Sequence, residues 1–205
     1  HELDVLATYS YTSSVNIPLR FMDVEKERII RQRLKESSEA ASVEEYTGGK
    51  AQFETNTGPV YIAAANTKVN GVHQLRLPML VDSNDLDKFP LRLNFQLHKS
   101  EDDVNGEVQE ILEIKFDLPP DMGIQCDSIN DGEPLRIITT EDGRGRAIVE
   151  YEDIEASVGD IIYCDLNIQA TQTYFPTGLE WTEQTFTIRV TYNYAQKQFA
   201  VIEVV

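Results

Sequence analysis

This 205-residue chain is poor in the residues that most often perform chemistry: it has three histidines, two cysteines and one tryptophan. Two cysteines are too few for a disulfide scaffold, and a chain long enough to bury a full apolar core does not need one. Cys126 and Cys164 therefore read as two buried thiols, the alternative being a bridge that links the two sheets of a sandwich. There is no paired C-x-x-C and no H-E-x-x-H, so the sequence offers no metal site of recognisable spacing. A G-x-S-x-G elbow and a G-x-x-x-x-G-K-[ST] loop are also missing, which leaves nucleophilic hydrolysis and nucleotide binding without support. His73 and His98 fall near polar positions of strand-like segments and read as surface imidazoles.

Positive charge is scarce as well. Eighteen Lys plus Arg face thirty-five Asp plus Glu, for a net charge of -17. Such a field repels phosphate backbones and anionic headgroups, which excludes nucleic acid as a natural partner. No apolar run approaches the roughly 20 residues that span a bilayer, and the opening residues lack a basic-then-apolar leader pattern, so no membrane insertion is expected. No Asn-x-Ser/Thr sequon occurs, and no fixed-period repeat or low-complexity linker is visible.

What the chain does contain is alternation. Leu91, Leu93, Phe95 and Leu97 alternate with Arg92, Asn94 and Gln96, the pattern of a strand with one face in a core and the other in water. Phe186, Ile188, Val190, Tyr192 and Tyr194 repeat it, as do Leu112, Ile114, Phe116 and Leu118, and Ile162, Cys164, Leu166 and Ile168. Shorter strands are expected over residues 3–9, 60–64, 72–77, 135–139, 146–151 and 199–204, with residues 194–198 as a polar link between the last two. Asn105-Gly106 predicts a type I′ hairpin between the flanking strands, and Asp131-Gly132 and Asp142-Gly143 mark further turns. Pro119-Pro120 ends the strand before it.

Residues 23–45 break the pattern, being rich in Glu, Lys, Arg, Gln and Ala without Gly or Pro. With Glu25 and Glu27 early and Arg31, Arg33 and Lys35 late, they predict a helix whose charges suit its dipole and which allows pairs such as Glu27 with Arg31. The helix either covers one end of the body or docks on a neighbouring subunit. The fold class is therefore all-β, mainly antiparallel: a β-sandwich or jelly roll with one helical insertion near residues 23–45. One domain over 1–205 is preferred to a division near residues 119–120.

Few residues suggest contact. Tyr174, Phe175 and Trp181 gather aromatics in one loop, either packed on the chain's own core or offered to a partner or glycan. Arg144 and Arg146 sit on a turn of a very acidic chain, where they can receive a carboxylate from another subunit. Acidic loops at Asp82, Asn84 and Asp85, at Glu101, Asp103 and Asn105, and at Asp127 and Asp131 leave calcium open, although each departs from the EF-hand register and reads first as a solvated turn. Thr140-Glu-Asp-Gly143, Arg146-Ala-Ile-Val149 and Gly159-Asp-Ile-Ile-Tyr163 together resemble the turn-strand-turn-strand ending of bacterial immunoglobulin-like modules, a short likeness built on common turn chemistry that transfers no function.

The resulting expectation is a non-enzymatic structural or assembly subunit with no cofactor, of the kind that forms a viral capsid or virion surface, partnered by copies of itself or by other protein subunits. An adhesin-like domain, binding carbohydrate or protein, is the alternative. A virion or another extracellular surface is the expected location.

Overall fold

In the computed structural model the described residues are 2–36, 54–55, 58–69, 72–85, 91–100, 106–169 and 181–201. The strands are β1 (Glu2–Asp23), β2 (Glu54–Thr55), β3 (Val60–Ala65), β4 (Thr67–Val69), β5 (Val72–Gln74), β6 (Met79–Val81), β7 (Leu91–Lys99), β8 (Gly106–Leu118), β9 (Met122–Cys126), β10 (Ile138–Thr139), β11 (Gly145–Glu150), β12 (Ile161–Ile168) and β13 (Thr182–Val201), with one helix, α1 (Val24–Glu36). A seven-stranded sheet runs β10-β11-β8-β13-β1-β2 with β6 also on β1, and a four-stranded sheet runs β3-β7-β12-β9. Neighbours are antiparallel except β1 and β6. The architecture is an all-β sandwich with a helical insertion. Both of these sheets take strands from both sides of Pro119-Pro120, and β4 and β5 form a separate two-stranded sheet.

The core follows from the period-two pattern. Val15, Ile17 and Leu19 of β1, Phe186, Ile188 and Val190 of β13, and Ile114, Phe116 and Leu118 of β8 bury against Leu93, Phe95, Ile162 and Leu166 of the smaller sheet. The rings of Phe95 and Phe116 meet edge-on at 5.8 Å, and Phe116 stacks on Phe186 at 6.0 Å. Ser13 joins the two layers: its hydroxyl donates to the Val60 carbonyl and lies 3.1 Å from Tyr192 Oη, which in turn accepts the Val60 N–H at 3.2 Å. These bonds satisfy polar groups that burial would otherwise penalise.

Four expectations are corrected. β7 and β8 lie in different sheets, so the segment containing Asn105 is no hairpin between them; Asn105 itself lies outside the described residues. Gly106 opens β8 opposite Gln196, and the space over it is filled by the Tyr194 ring, with Oη 1.9 Å from where a Cβ would sit. Residues 194–198 are not a link, because β13 runs unbroken from Thr182 to Val201. Leu112 does not face the core: the pairing passes from Thr191 opposite Glu113 to Tyr192 opposite Ile111, leaving Leu112 as the extra residue of a bulge and burying Ile111 instead.

The fourth correction concerns the cysteines. Cys126 and Cys164 are bonded, and the bridge joins neighbours rather than layers, since the two residues face each other across β9 and β12 with Cα atoms 4.1 Å apart. The expected burial holds, and both sulfurs sit in the core.

The helix begins where expected. Asp23 ends β1 and caps α1, its Oδ1 accepting the Glu25 N–H at 2.9 Å and its Oδ2 the Ser83 N–H at 3.0 Å. Glu27 pairs with Arg31 one turn on. Ile30 buries against Met22, with Leu34, Leu80 and Trp181 packed around them, while Ile29 stays exposed. The described part of the helix thus lies on its own body; residues 37–45 lie outside the described set.

Candidate interaction surface

The residues singled out from sequence do not form one site. Tyr174 and Phe175 lie outside the described residues. Trp181 is half-buried in the small cluster beneath α1, where it serves packing. Arg144 and Arg146 do come together, and their acceptors belong to this chain. Arg144 Nη2 donates to the Thr185 carbonyl at 2.5 Å, and Arg146 Nε meets Asp117 Oδ1 at 2.6 Å. Arg189 holds the other Asp117 oxygen, so one buried carboxylate is shared by two guanidinium groups on the outer face of the larger sheet. Beside them, a hydrogen bond from the Thr140 hydroxyl holds the Asp142 carboxyl below its usual range and shapes the hairpin between β10 and β11. The glycine of that turn, Gly143, takes a φ of +78°, which supports the turn expected at Asp142-Gly143.

Two of the three acidic loops place a carboxylate on backbone, while Glu101, Asp103 and Asn105 lie outside the described residues. Asp82 Oδ1 accepts the Asn84 N–H at 3.1 Å, and Asp127 Oδ1 accepts the Tyr163 N–H at 3.1 Å. Among the described residues no three His, Cys, Asp or Glu side chains cluster as a metal site would require.

Two surfaces that the sequence did not single out stand apart. The first is the outer face of the four-stranded sheet. Its side chains form rows set by register: Tyr61 beside His98, Ala63 beside Gln96 and Ile161, Ala65 beside Asn94 and Tyr163, then Arg92, Asp165 and Gln125. Tyr61 is 41% and Tyr163 47% exposed. The Tyr61 and His98 rings stack at 5.0 Å, and Arg92 pairs with Asp165 at 3.0 Å. The small Ala63 side chain leaves a depression of about 260 Å³ between the Tyr61 and Tyr163 rows, and a second of about 520 Å³ opens beside Arg92, Asp127 and Tyr163.

The second surface is the ribbon at the start of β1. β1 pairs with β13 over almost its entire length, from Glu2 opposite Val201 to Phe21 opposite Thr182. Its other edge carries β2 at Val15 and Asn16 and β6 at Phe21, Met22 and Asp23. Over residues 2–13 no described strand lies along that edge. The ribbon leaves the core here, so Leu6 is 69% exposed and Ala7, Thr8 and Ser10 face water. At its root Tyr9, Tyr11, Tyr192 and Tyr194 cluster, with neighbouring ring centroids 5.2 to 6.5 Å apart. Burial pushes the Tyr192 phenol above its usual range, against the lowering effect of its bonds to Ser13 and Val60. The tyrosines brace the ribbon where it departs from the sandwich. One sequence signal marks the stretch: residues 5–19 carry no charge, in a chain that is 26% charged.

Compared with protein-family models, with curated proteins and with solved structures, the chain matches none.

Proposed function

We propose that this chain is a non-enzymatic assembly subunit that works by surface contact in an oxidising setting, as a capsid or virion-surface protein does. The observation that carries the reading is the uncharged ribbon at the start of β1, where Leu6, Ala7, Thr8 and Ser10 are exposed. Proteins that must stay apart place charge, proline or bulges along their exposed strands. Residues 5–17 carry no charge and no proline, and β1 pairs with β13 without a break in register. An exposed strip without charge suits a subunit that meets other subunits there. The buried Cys126–Cys164 bridge supports a location outside a reducing cytosol, because disulfides persist in oxidising compartments. The acidity fits the same role, keeping free subunits soluble until they assemble. Light scattering across a concentration series tests the reading. Oligomers that grow with concentration support it, and a strict monomer at high concentration and high salt overturns it.

A binding module is the second reading, favoured by the exposed Tyr61 and Tyr163 on the outer face of the smaller sheet. Exposed rings on a face that also carries a depression lined by Asn94, Gln96 and His98 suit a neutral sugar. A glycan array decides between the two: specific binding that Tyr163→Ala abolishes favours the module.

A further inference from the structure

We propose that two copies of this chain pack the outer faces of their larger sheets together about a two-fold axis that crosses the strands, each setting its acidic rows over the other's basic rows. This deepens the assembly reading and rests on it. Three observations commit the face to a second copy.

The first is a division of charge along the strands. Register puts Ile138, Arg146, Asp117 and Thr187 in one row and Ile148, Lys115 and Arg189 in the next. Glu150, Glu113 and Thr191 form the row after that, and Glu110 lies beside Asn193 in the following one. Cations thus hold one half of this face and acids the other. The exception, Asp117, is buried and clamped by Arg146 and Arg189. Turning a copy by half a revolution about an axis between the Lys115 and Glu113 rows exchanges the two halves, so the face is complementary to itself. A net charge of -17 makes unspecific contact between copies repulsive, and opposed halves select this arrangement against others.

The second is exposure. The Arg146 and Arg189 side chains are each 41% exposed, although both are bonded to Asp117. Arg146 gives that carboxylate its Nε and Arg189 its Nη1, and a guanidinium has further N–H groups with which to meet a second carboxylate. Between and beside them Ile138 is 55% and Ile148 43% exposed, apolar area that a facing sheet removes from water.

The third is area. The strands from β10 to β1 lie about 4.8 Å apart and successive outward rows roughly 7 Å apart, so the face offers roughly 600 Å² per copy. Two such faces bury about 1,200 Å², the lower end of specific interfaces, which makes the pairing reversible and dependent on concentration.

Analytical ultracentrifugation of the whole chain tests this across a concentration series at about 0.15 M and about 0.5 M NaCl. Wild type is expected to dimerise as concentration rises. Ile148→Glu sets an acid opposite the other copy's acidic row, and Glu150→Lys sets a cation opposite its basic row. Each change is expected to raise the dissociation constant about tenfold. An equimolar mixture of the two variants is expected to dimerise again, because the introduced acid then faces the introduced amine. That rescue separates contact at this face from a loss of folding. A second measurement uses wild type alone: a carbodiimide, which joins an amine to a carboxyl in contact with it, is applied to a mixture of isotope-labelled and unlabelled chains. It is expected to couple Lys115 of one copy to Glu110, Glu113 or Glu150 of the other. Native-folded variants that associate like wild type, variants that stay apart when mixed, or a dimeric wild type without that link overturn the face-to-face pairing and leave the assembly reading standing. A wild type that stays monomeric at every concentration and salt overturns both.

Discussion

Asp23 concentrates several roles in one side chain. It ends the longest described strand, caps the only described α-helix and ties the turn at Ser83 to both. Burial alone would raise its pKa, but hydrogen bonds from the Ser83 side chain and from the Ser83, Glu25 and Lys26 amides outweigh that and hold the carboxyl below its usual range. Since the folded pKa lies below the unfolded value of about 3.9, the contribution to stability is fully present above that value and is lost as pH falls through the folded pKa. Asp23→Ala should cost about 1–2 kcal/mol at neutral pH, by loss of the cap and exposure of its donors to imperfect partners. Urea titrations at a series of pH values check both points: the gap between wild type and variant should be constant near neutrality and should close below about pH 4. Gly106 makes a different point, because it is required for space. With the Tyr194 ring fully buried over it, an alanine at this position must displace the ring or the strand. Gly106→Ala should destabilise by about 1–3 kcal/mol, read from the same titrations; an unchanged midpoint would mean that Tyr194 does not sit where described.

At the scale of elements, strict alternation was readable and its interruptions were not. β7, β12 and the inner half of β13 appear as expected, because each buries one face along its whole run and the side-chain period is then fixed by the pleat. β8 was only partly readable, since a bulge moves Leu112 out and Ile111 in, and nothing local distinguishes a bulged strand from a regular one. β1 was seen as a short strand because its Ser- and Thr-rich stretch from residue 8 to residue 14 carries little hydrophobic contrast; its length is imposed by pairing with β13, far away in sequence. The same distance hid the Asp117 cluster, whose arginines lie 29 and 72 positions away. The cysteines were misread for a related reason: with 38 residues between them, the sequence cannot say that β9 and β12 are neighbours. Closing a loop of that length restricts the unfolded chain, so Cys126→Ser/Cys164→Ser should lose about 2–4 kcal/mol. Reductant should move wild type toward the double variant in a denaturation curve and leave the variant where it is.

For the whole molecule the question is which electrostatic term dominates. The pairs seen on the surface, such as Arg92 with Asp165 and Arg28 with Glu25, are largely exposed and of the kind worth about 0–1 kcal/mol each. The shared Asp117 carboxylate is better shielded, but it is one site. Against these stands an excess of acid that gives the chain a net charge of -17, brought closer together by folding. Salt weakens both attraction and repulsion, and its sign on stability reports which is larger. The screening length falls from about 10 Å at 0.1 M to about 3 Å at 1 M, which removes most of the long-range repulsion while the Asp117 pairs, with oxygen and nitrogen in direct contact, keep most of their energy. Stability should therefore rise with salt. The melting temperature of the chain should increase by a few degrees between 0.1 M and 1 M NaCl, with NaCl chosen over sulfate so that screening rather than surface exclusion is tested. A melting temperature that falls over that range would show that the paired arginines outweigh the acidic excess.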